Sequence, residues 1–382
     1  MKIDKHSHFL YIIAAIIIPI SPLAANHLYP FFNFTSFASI ANTLRPTIYI
    51  GSSESLASAP IQAAWLSSQN FYSVENITSL LHATNPIPSI NIFPILTSAD
   101  FNLVPSDTAD HSIALQQFFD RAGILLLLPG RYNISVPTLH LRGDTILVAD
   151  GAEIHQMNDA LTDYGIFAVE SVQNVAIHGA CAVGNRNICK LAGEHGHGFR
   201  VRSSRNIIII NSSSVDNFGD GFYIGQLANT GEIHPASTSV VLEHCLADNN
   251  RRQGLSITSA RDVKIMNCTF THTQGTAPES GIDIEPNANQ NVENILIRDC
   301  TLMGNARMGI SLFARSVNAN INHIMIIGCH VHSNRGYGVW ITGCTANIAI
   351  TSGQIINNRM EGIHIDYTLG PNKHHPTLIS IN

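Results

Sequence analysis

The chain has 382 residues, of which 45% are hydrophobic and 13% are charged, and its formal net charge at pH 7 is −6. This length allows one large or two ordinary domains, and this composition suits a long buried core rather than a disordered chain. Because Lys and Arg are nowhere clustered, the sequence argues against a nucleic-acid interface.

The first residues have the features of an export signal. Lys2 and Lys5 precede an apolar run from Phe9 to Ile20, and the segment from Ser21 to Ala25 can carry a cleavage site. We therefore predict a signal peptide over residues 1–25, a secreted or periplasmic protein, and no stable membrane span once the signal is removed. The alternative is an uncleaved membrane anchor, although the run is short for a full span.

Two further regions follow the signal. Residues 26–95 are rich in Ser, Asn and aromatic residues without a clear period, and we assign them no structure. Residues 96–382 are predicted to form one domain. At its start, Asp110 is expected to cap a helix over residues 111–122 with Ile113, Phe118 and Phe119 on its apolar face. Such a helix would close the open end of a repeat structure.

From about residue 174 onward the sequence repeats. One element is a glycine followed by alternating apolar residues, at intervals of 23 to 33 residues, which is typical of a solenoid. Its glycines are Gly198, Gly221, Gly254, Gly281, Gly309, Gly338 and Gly362. A second element, such as Asn294-Ile-Leu-Ile, also alternates with period two, which indicates strands rather than helices. Each repeat therefore supplies at least two short strands, and the stacked repeats form parallel sheets around a filled interior.

The seven cysteines follow the same repeat. Four of them occupy one equivalent position in successive repeats, and we predict an inward ladder of reduced thiols: Cys245, Cys268, Cys300 and Cys329. Ser212 and Gly353 take this position in the flanking repeats. Cys181 and Cys189 could pair with each other, which would leave Cys344 free.

These patterns resemble the right-handed parallel β-helix superfamily, which includes pectate lyases, polygalacturonases and mannuronan C5-epimerases. The resemblance covers roughly residues 97–370 and rests on four features of the sequence: Asp107-Thr-Ala with the following helix, Leu128-Pro-Gly-Arg-Tyr, the Gly-Ile-x-Ile and Asn-Ile-x-Ile repeats, and the stretches from Asp216 to Gly225 and from Asn250 to Pro286. It implies an all-β right-handed parallel β-helix, a solenoid with an N-terminal capping helix.

The resemblance does not extend to the motifs of any one enzyme class. The Asp-Pro-His-Glu motif of mannuronan epimerases, the ordered polygalacturonase set and the pectate lyase arginine motif are absent from the sequence. Gly196-His197-Gly198 matches one piece of the polygalacturonase set, but it precedes Asp220 instead of following the acids. Superfamily membership therefore implies no particular reaction.

Alignment of the repeats on their glycines predicts which side chains face outward. The second residue after each glycine points away from the core, and rungs lie about 4.8 Å apart, so distant residues become neighbours. The rungs from Gly221 to Gly309 gather eight side chains into one patch: Asp220, Tyr223, Arg252, Gln253, Glu279, Asp283, Glu285 and Arg307.

Asp283 and Glu285 are the sharpest catalytic candidates. Two carboxylates at this separation could act as acid and base on a glycosidic bond, and their repulsion would raise one pKa. They could instead hold Ca²⁺, or pair with Arg252 and Arg307 as a solvated ladder. The two arginines could alternatively clamp a uronate carboxylate or stabilise turns.

Two members of this patch and two residues near it are further candidates. Asp220 is a second acidic candidate, and Tyr223 could donate or accept a proton. His197 lies at the edge in a His-x-His motif that only weakly suggests a metal, and Trp340 could stack on a sugar or pack under a loop. A long excursion over about residues 226–238, which contains Glu232 and His234, is expected to wall the patch.

The leading functional hypothesis is an exported lyase, epimerase or hydrolase that acts on an acidic polysaccharide. The alternatives are a non-catalytic glycan-binding or adhesive surface protein and a purely structural solenoid. The sequence indicates no certain cofactor, with Ca²⁺ as one possibility, and it does not specify an oligomeric state.

Overall fold

The computed structural model describes residues 94–228, 232, 234–367 and 376–381. The predicted signal peptide and nearly all of the segment 26–95 lie outside the described residues. Among the described residues, no helix combines the length and apolar character needed to cross a bilayer.

The described residues form a β-solenoid of three parallel sheets, and each full coil contributes one strand to every sheet. Strands are numbered in chain order. Sheet I consists of β1 (Ile95–Thr97), β2 (Gly123–Leu126), β5 (Thr145–Val148), β8 (Gln173–His178), β11 (Arg205–Ile210), β14 (Ser237–Glu243), β17 (Ala260–Met266), β20 (Asn291–Arg298), β23 (Asn320–Ile327), β26 (Thr345–Thr351) and β29 (Thr377–Ile381).

The other two sheets contain nine strands each within the described ranges. Sheet II consists of β3 (Gly130–Ile134), β6 (Ala152–Gln156), β9 (Cys181–Val183), β12 (Ser213–Val215), β15 (Leu246–Asp248), β18 (Thr269–Thr271), β21 (Thr301–Met303), β24 (His330–His332) and β27 (Gln354–Ile356). Sheet III consists of β4 (Thr138–His140), β7 (Asp163–Glu170), β10 (His195–Arg202), β13 (Phe222–Gly225), β16 (Leu255–Ile257), β19 (Ile282–Ile284), β22 (Ile310–Ala314), β25 (Val339–Gly343) and β28 (Ile363–Asp366).

The interior is a continuous apolar column in which equivalent side chains stack. Phe167, Phe199 and Phe222 lie in successive coils with ring centroids 4.8 and 5.0 Å apart, which matches the spacing of adjacent strands. The column continues through Leu255 and Ile282, both with 0% exposure. Each coil therefore buries its apolar face mainly against its two neighbours.

The repeat glycines stand where consecutive coils approach most closely. A Cβ atom on Gly221 would lie 2.7 Å from the carbonyl oxygen of Gly254, and one on Gly281 would lie 2.8 Å from that of Gly309. A larger residue at either place would force the coils apart, which explains why glycine marks the start of the sheet III strands.

The N-terminal helix is present but shorter than predicted. The helix α1 spans Ser112–Phe119, its N-cap is His111, and Asp110 accepts a hydrogen bond from the Ser112 amide at 2.9 Å. Phe118 and Phe119 are fully buried, whereas Ile113 is 76% exposed, so its predicted place on the apolar face is wrong. A short 3₁₀ helix, Ser98–Phe101, packs beside α1, and the ring centroids of Phe101 and Phe118 lie 5.2 Å apart.

The predicted thiol ladder is confirmed. Cys245, Cys268, Cys300 and Cys329 are all buried and free, and the Cys245 amide donates to the Cys268 sulfur. Cys181 and Cys189 are also free thiols, so the disulfide considered for them is not formed.

A ladder of asparagines in the turns between sheets II and III was not predicted from the sequence. Each stands four positions before a repeat glycine: Asn217, Asn250, Asn305 and Asn334, which are buried, and Asn358, which is partly buried. The Asn334 Oδ1 accepts from the backbone amide of Asn305 at 3.1 Å and from its side chain at 2.9 Å, and other rungs repeat this pattern. These bonds fix the turns that lead into sheet III.

We predict that Asn334→Ala destabilises the fold by roughly 2–4 kcal/mol, because it leaves the buried Asn305 amide without its acceptor and removes a second hydrogen bond, to the Leu302 carbonyl. The measurement is urea unfolding, with Asn287→Ala as control. Asn287 is exposed, so its substitution is expected to change the free energy of unfolding by less than about 0.5 kcal/mol. Equal effects of the two substitutions would contradict a structural ladder.

Candidate functional site

The outer column of sheet III follows the predicted register. In each strand the second residue after the repeat glycine pairs with its equivalent in the next coil, and these residues are Arg200, Tyr223, Ser256, Asp283, Ser311, Trp340 and His364. Because Ile282 and Ile284 on either side belong to the core, Asp283 points away from it. Asp283 is nevertheless only 2% exposed, which the sequence did not predict.

Arg252 lies at the centre of the site, in the turn before β16. Its guanidinium contacts Glu194 Oε2 at 3.0 Å, Asp220 Oδ1 at 3.4 Å and Glu285 Oε2 at 3.9 Å. Burial alone would lower the pKa of Arg252, but the surrounding carboxylates, led by Asp220 and Asp283, raise it. We therefore describe Arg252, Glu194, Asp220, Asp283 and Glu285 as the acidic cluster, held together by one internal cation.

Asp220 and His197 form the inner wall of this cluster. Asp220 has 0% exposure, and its burial raises its pKa to about 6 although Arg252 acts in the opposite direction. The Asp220 amide donates to His197 Nδ1 at 3.2 Å, and burial holds the pKa of His197 well below its usual value. His197 is therefore neutral and carries its proton on Nε2, so its proximity to the Asp220 carboxylate is not an ion pair.

Tyr223 packs against this wall. Its ring stacks on His197 with centroids 4.9 Å apart, and its hydroxyl lies 2.9 Å from Thr258 Oγ1. Burial raises the pKa of Tyr223. These contacts show that the Tyr223 ring packs against the His197 ring and helps to hold it in place. The role of Tyr223 in proton transfer stays a prediction.

Asp283 and Glu285 combine a buried acid with an accessible carboxylate. Burial and the negative charge of Glu285 raise the pKa of Asp283 well above its usual value, which favours the protonated form of this carboxyl. The Glu285 side chain is 33% exposed. The pair can therefore present a proton and a base at one place, which acid–base hydrolysis requires.

Gln253 lies behind Asp283 instead of facing solvent. It has 0% exposure, and its Nε2 donates to Asp283 Oδ2 at 2.9 Å. Because the side chain is fully enclosed, the prediction that Gln253 belongs to an exposed patch is wrong.

Glu279 and Arg307 lie on the rim of the predicted patch. Arg307 Nε contacts Glu279 Oε2 at 3.5 Å, and Glu279 Oε1 also accepts from the Gly275 amide at 2.7 Å. With its side chain 57% exposed, Arg307 forms a solvated ion pair with Glu279, whereas the alternative considered for it was an ion pair with Asp283 and Glu285.

An aromatic cluster lies two rungs beyond Asp283 on the same face, and Ser311 occupies the intervening rung. It consists of Phe313, Tyr337, Trp340 and His364. Trp340 lies 5.4 Å from Phe313 and 6.4 Å from Tyr337 between ring centroids, and Tyr337 stacks on His364 at 4.3 Å. All four side chains are partly exposed, so the cluster offers an apolar surface about 10 Å from the acidic cluster.

Sequence analysis did not include Glu194 in the patch. This residue ends the excursion from β9 to β10 and binds Arg252 from outside the repeat. The sequence feature that could have suggested a place for Glu194 in the patch is its position directly before His195-Gly-His-Gly. A loop conformation cannot be read from a strand register, however, so repeat alignment could not place Glu194.

Within the described residues, no group of three or more His, Cys, Asp or Glu is arranged to hold a metal ion.

Comparison with known protein families matches residues 139–324 to the family described as right handed beta helix region. Together with the three parallel sheets described above, this match shows that the chain has the right-handed parallel β-helix fold. A curated relative, the uncharacterized protein YclG of Bacillus subtilis (strain 168), is 27% identical over 166 residues. That match covers 39% of this chain and 28% of the relative, so the chain matches less than a third of that relative's length.

Solved β-helix structures share the fold at low identity. The N-terminal fragment of gene product 12 of bacteriophage Phi29 is 14% identical with a TM-score of 0.55, and the match covers 75% of this chain and 57% of that one. The tailspike protein gp49 of Acinetobacter baumannii bacteriophage Fri1, a capsular polysaccharide depolymerase, has the same identity and coverages with a TM-score of 0.49. At this identity the likeness concerns the fold, and function must be argued from the site.

The raised carboxyl pKa values make stability depend on pH. A carboxyl whose folded pKa exceeds its unfolded value stabilises the protein at low pH, and this contribution is lost as pH rises through the folded pKa. For Asp220, the rise from 3.8 to about 6 corresponds to roughly 3 kcal/mol lost between about pH 4 and 6. Asp283 contributes a loss in the same direction, because its pKa is also raised by burial and by Glu285.

We therefore predict that Asp283→Asn loses less stability than the native chain between pH 4.5 and 8, because an amide cannot ionise. Denaturant unfolding at several pH values measures this. Asp299→Asn, at a side chain that is 55% exposed, is the matched control and is expected to follow the native profile. Parallel profiles for all three proteins would contradict a buried, neutral Asp283.

Proposed function

We propose that this chain is an exported glycoside hydrolase that cleaves a polysaccharide bound along sheet III. The observation that carries the proposal is the buried Asp283 carboxyl, whose pKa is raised by burial and by Glu285, beside the accessible carboxylate of Glu285. Glycosidic bond hydrolysis needs one carboxyl to protonate the leaving oxygen and another to act as base or nucleophile. We assign the acid role to Asp283, which supplies the proton. We assign the role of base or nucleophile to Glu285, whose side chain reaches solvent.

The aromatic cluster supports a polymeric substrate. Two rungs separate Asp283 from Trp340, about 10 Å along the solenoid axis, so a chain that stacks on Trp340 would pass the acidic cluster while crossing the strands. Partly exposed rings with a polar rim are suited to the apolar face of a sugar. The rigid stack of coils would hold both parts at a fixed distance.

The paired arginines favour hydrolysis over lyase or epimerase chemistry. Those reactions need a cation that neutralises a uronate carboxylate, but Arg252 already contacts three carboxylates and Arg307 already pairs with Glu279. The same arrangement disfavours Ca²⁺, because the guanidinium occupies the space between the carboxylates. We therefore propose an uncharged sugar at this site, in place of the acidic polysaccharide expected from the sequence.

The first test replaces the pair. We expect Glu285→Gln and Asp283→Asn each to lower kcat by at least about 10²-fold, because each removes one half of the acid–base function. The assay is release of reducing ends from a panel of polysaccharides. Glu293→Gln, an exposed change of the same kind on sheet I, is the control and should keep full activity. Native turnover in both pair variants would refute the mechanism, and products that absorb in the ultraviolet would indicate a lyase.

The second test addresses substrate charge. We expect a uronate polymer to bind more weakly than the same polymer after its carboxyl groups are reduced to alcohols, since the acidic cluster has more carboxylates than cations. Added salt should reduce this difference by screening the repulsion. Preference for the uronate form, weakened by salt, would show instead that the arginines bind carboxylates.

A non-catalytic glycan-binding protein is the second candidate, and the aromatic cluster is the observation that favours it. Binding that Trp340→Ala weakens about tenfold or more, without any bond cleavage by the native protein, would support this candidate over the hydrolase. Met325→Ala, at an exposed residue of sheet I, serves as the control.

A further inference from the structure

The orientation of the Gln253 carboxamide is fixed by the backbone. The amide of Ser280 can only donate a hydrogen bond, and it lies 2.8 Å from the Gln253 side chain. The atom that faces Ser280 must therefore be the carboxamide oxygen, Oε1. It follows that the amino group, Nε2, faces Asp283.

This orientation determines the role of one Asp283 oxygen. Nε2 has only hydrogens to offer, so Asp283 Oδ2, at 2.9 Å, must accept. In a protonated carboxyl group the carbonyl oxygen is the acceptor, so Oδ2 takes the place of the carbonyl oxygen. The proton of a neutral Asp283 therefore belongs on the other oxygen, Oδ1.

The surroundings of Oδ1 agree with this assignment. Oδ1 is buried and has no hydrogen-bond partner among the described residues. A buried acceptor without a donor is costly, whereas a hydroxyl at this position can donate to an adjacent carboxylate or to a substrate. Glu285 is the carboxylate beside Asp283.

We propose that Gln253 is a positioning residue that holds the acid proton of Asp283 on Oδ1. Gln253 does not touch substrate, and its effect is exerted through Asp283. The proposal rests on the proposed function only for its catalytic consequence, because the position of the proton is a property of the free protein.

The decisive measurement is infrared difference spectroscopy of the full chain, which needs no substrate. The protonated carboxyl of Asp283 gives a carbonyl band that disappears in Asp283→Asn. Its carbonyl oxygen is Oδ2, so removal of the Gln253 donor in Gln253→Leu should shift the band to higher wavenumber. Gln354→Leu, at an exposed residue of sheet II, should leave the band unchanged. An unshifted band in Gln253→Leu would overturn the proposal.

A second variant guards against unfolding, because Gln253→Leu also leaves the buried Ser280 amide unpaired. Gln253→Glu keeps an acceptor for Ser280 and replaces the donor by a carboxyl that donates only when protonated. We expect its band to match the native band at low pH and to depart from it as the introduced carboxyl ionises. A native band at every pH would overturn the proposal.

The catalytic consequence has its own readout. If the hydrolase function holds, Gln253→Glu should lower kcat about tenfold or more near neutral pH, recover toward acid pH and leave KM unchanged. A shifted infrared band without any turnover by the native protein would retain the placement of the proton and reject the hydrolase. Native kcat at all pH values would reject the positioning role.

Discussion

The close registered stacking of successive coils is the constraint on which the rest of the structure depends. Glycines allow the coils to approach at the start of each sheet III strand, and buried asparagines fix the turns just before them. Because every strand pairs in parallel with the equivalent strand of the next coil, residues 22 to 33 positions apart become neighbours. The acidic cluster and the aromatic cluster exist only as a consequence of this register.

Much of this arrangement was predictable from the sequence. The glycine spacing gives the coil boundaries, and alternation gives the inward and outward faces, so the column that contains Tyr223, Asp283 and Trp340 follows directly. The thiol ladder follows from the same alignment. These features depend on backbone periodicity, which a single sequence records.

The environment of each side chain was less predictable. Repeat alignment places Asp283 on an outer face but cannot show that it is enclosed, because Gln253, Ser311 and the excursions beside sheet III determine its exposure. It also cannot show that Arg252 turns toward Glu194, which lies in one of those excursions. The sequence therefore suggested arginines that bind substrate, whereas the structure has arginines that already bind carboxylates.

The site is built at the expense of stability. Asp220 and Asp283 are carboxyl groups held where ionisation is unfavourable, and one guanidinium compensates for only part of the negative charge around it. A solenoid that needed only mechanical strength would gain by placing apolar or neutral residues there. Their presence on adjacent rungs, beside the partly exposed aromatic cluster, is what a reactive surface requires.

The most direct test of this account is a crystal structure of Glu285→Gln soaked with an uncharged oligosaccharide that the native protein cleaves. We expect the sugar chain to lie along the solenoid axis, with one ring on Trp340 and one glycosidic bond directly beside Asp283 and residue 285. A sugar bound to sheet I or sheet II, with sheet III empty, would contradict the account.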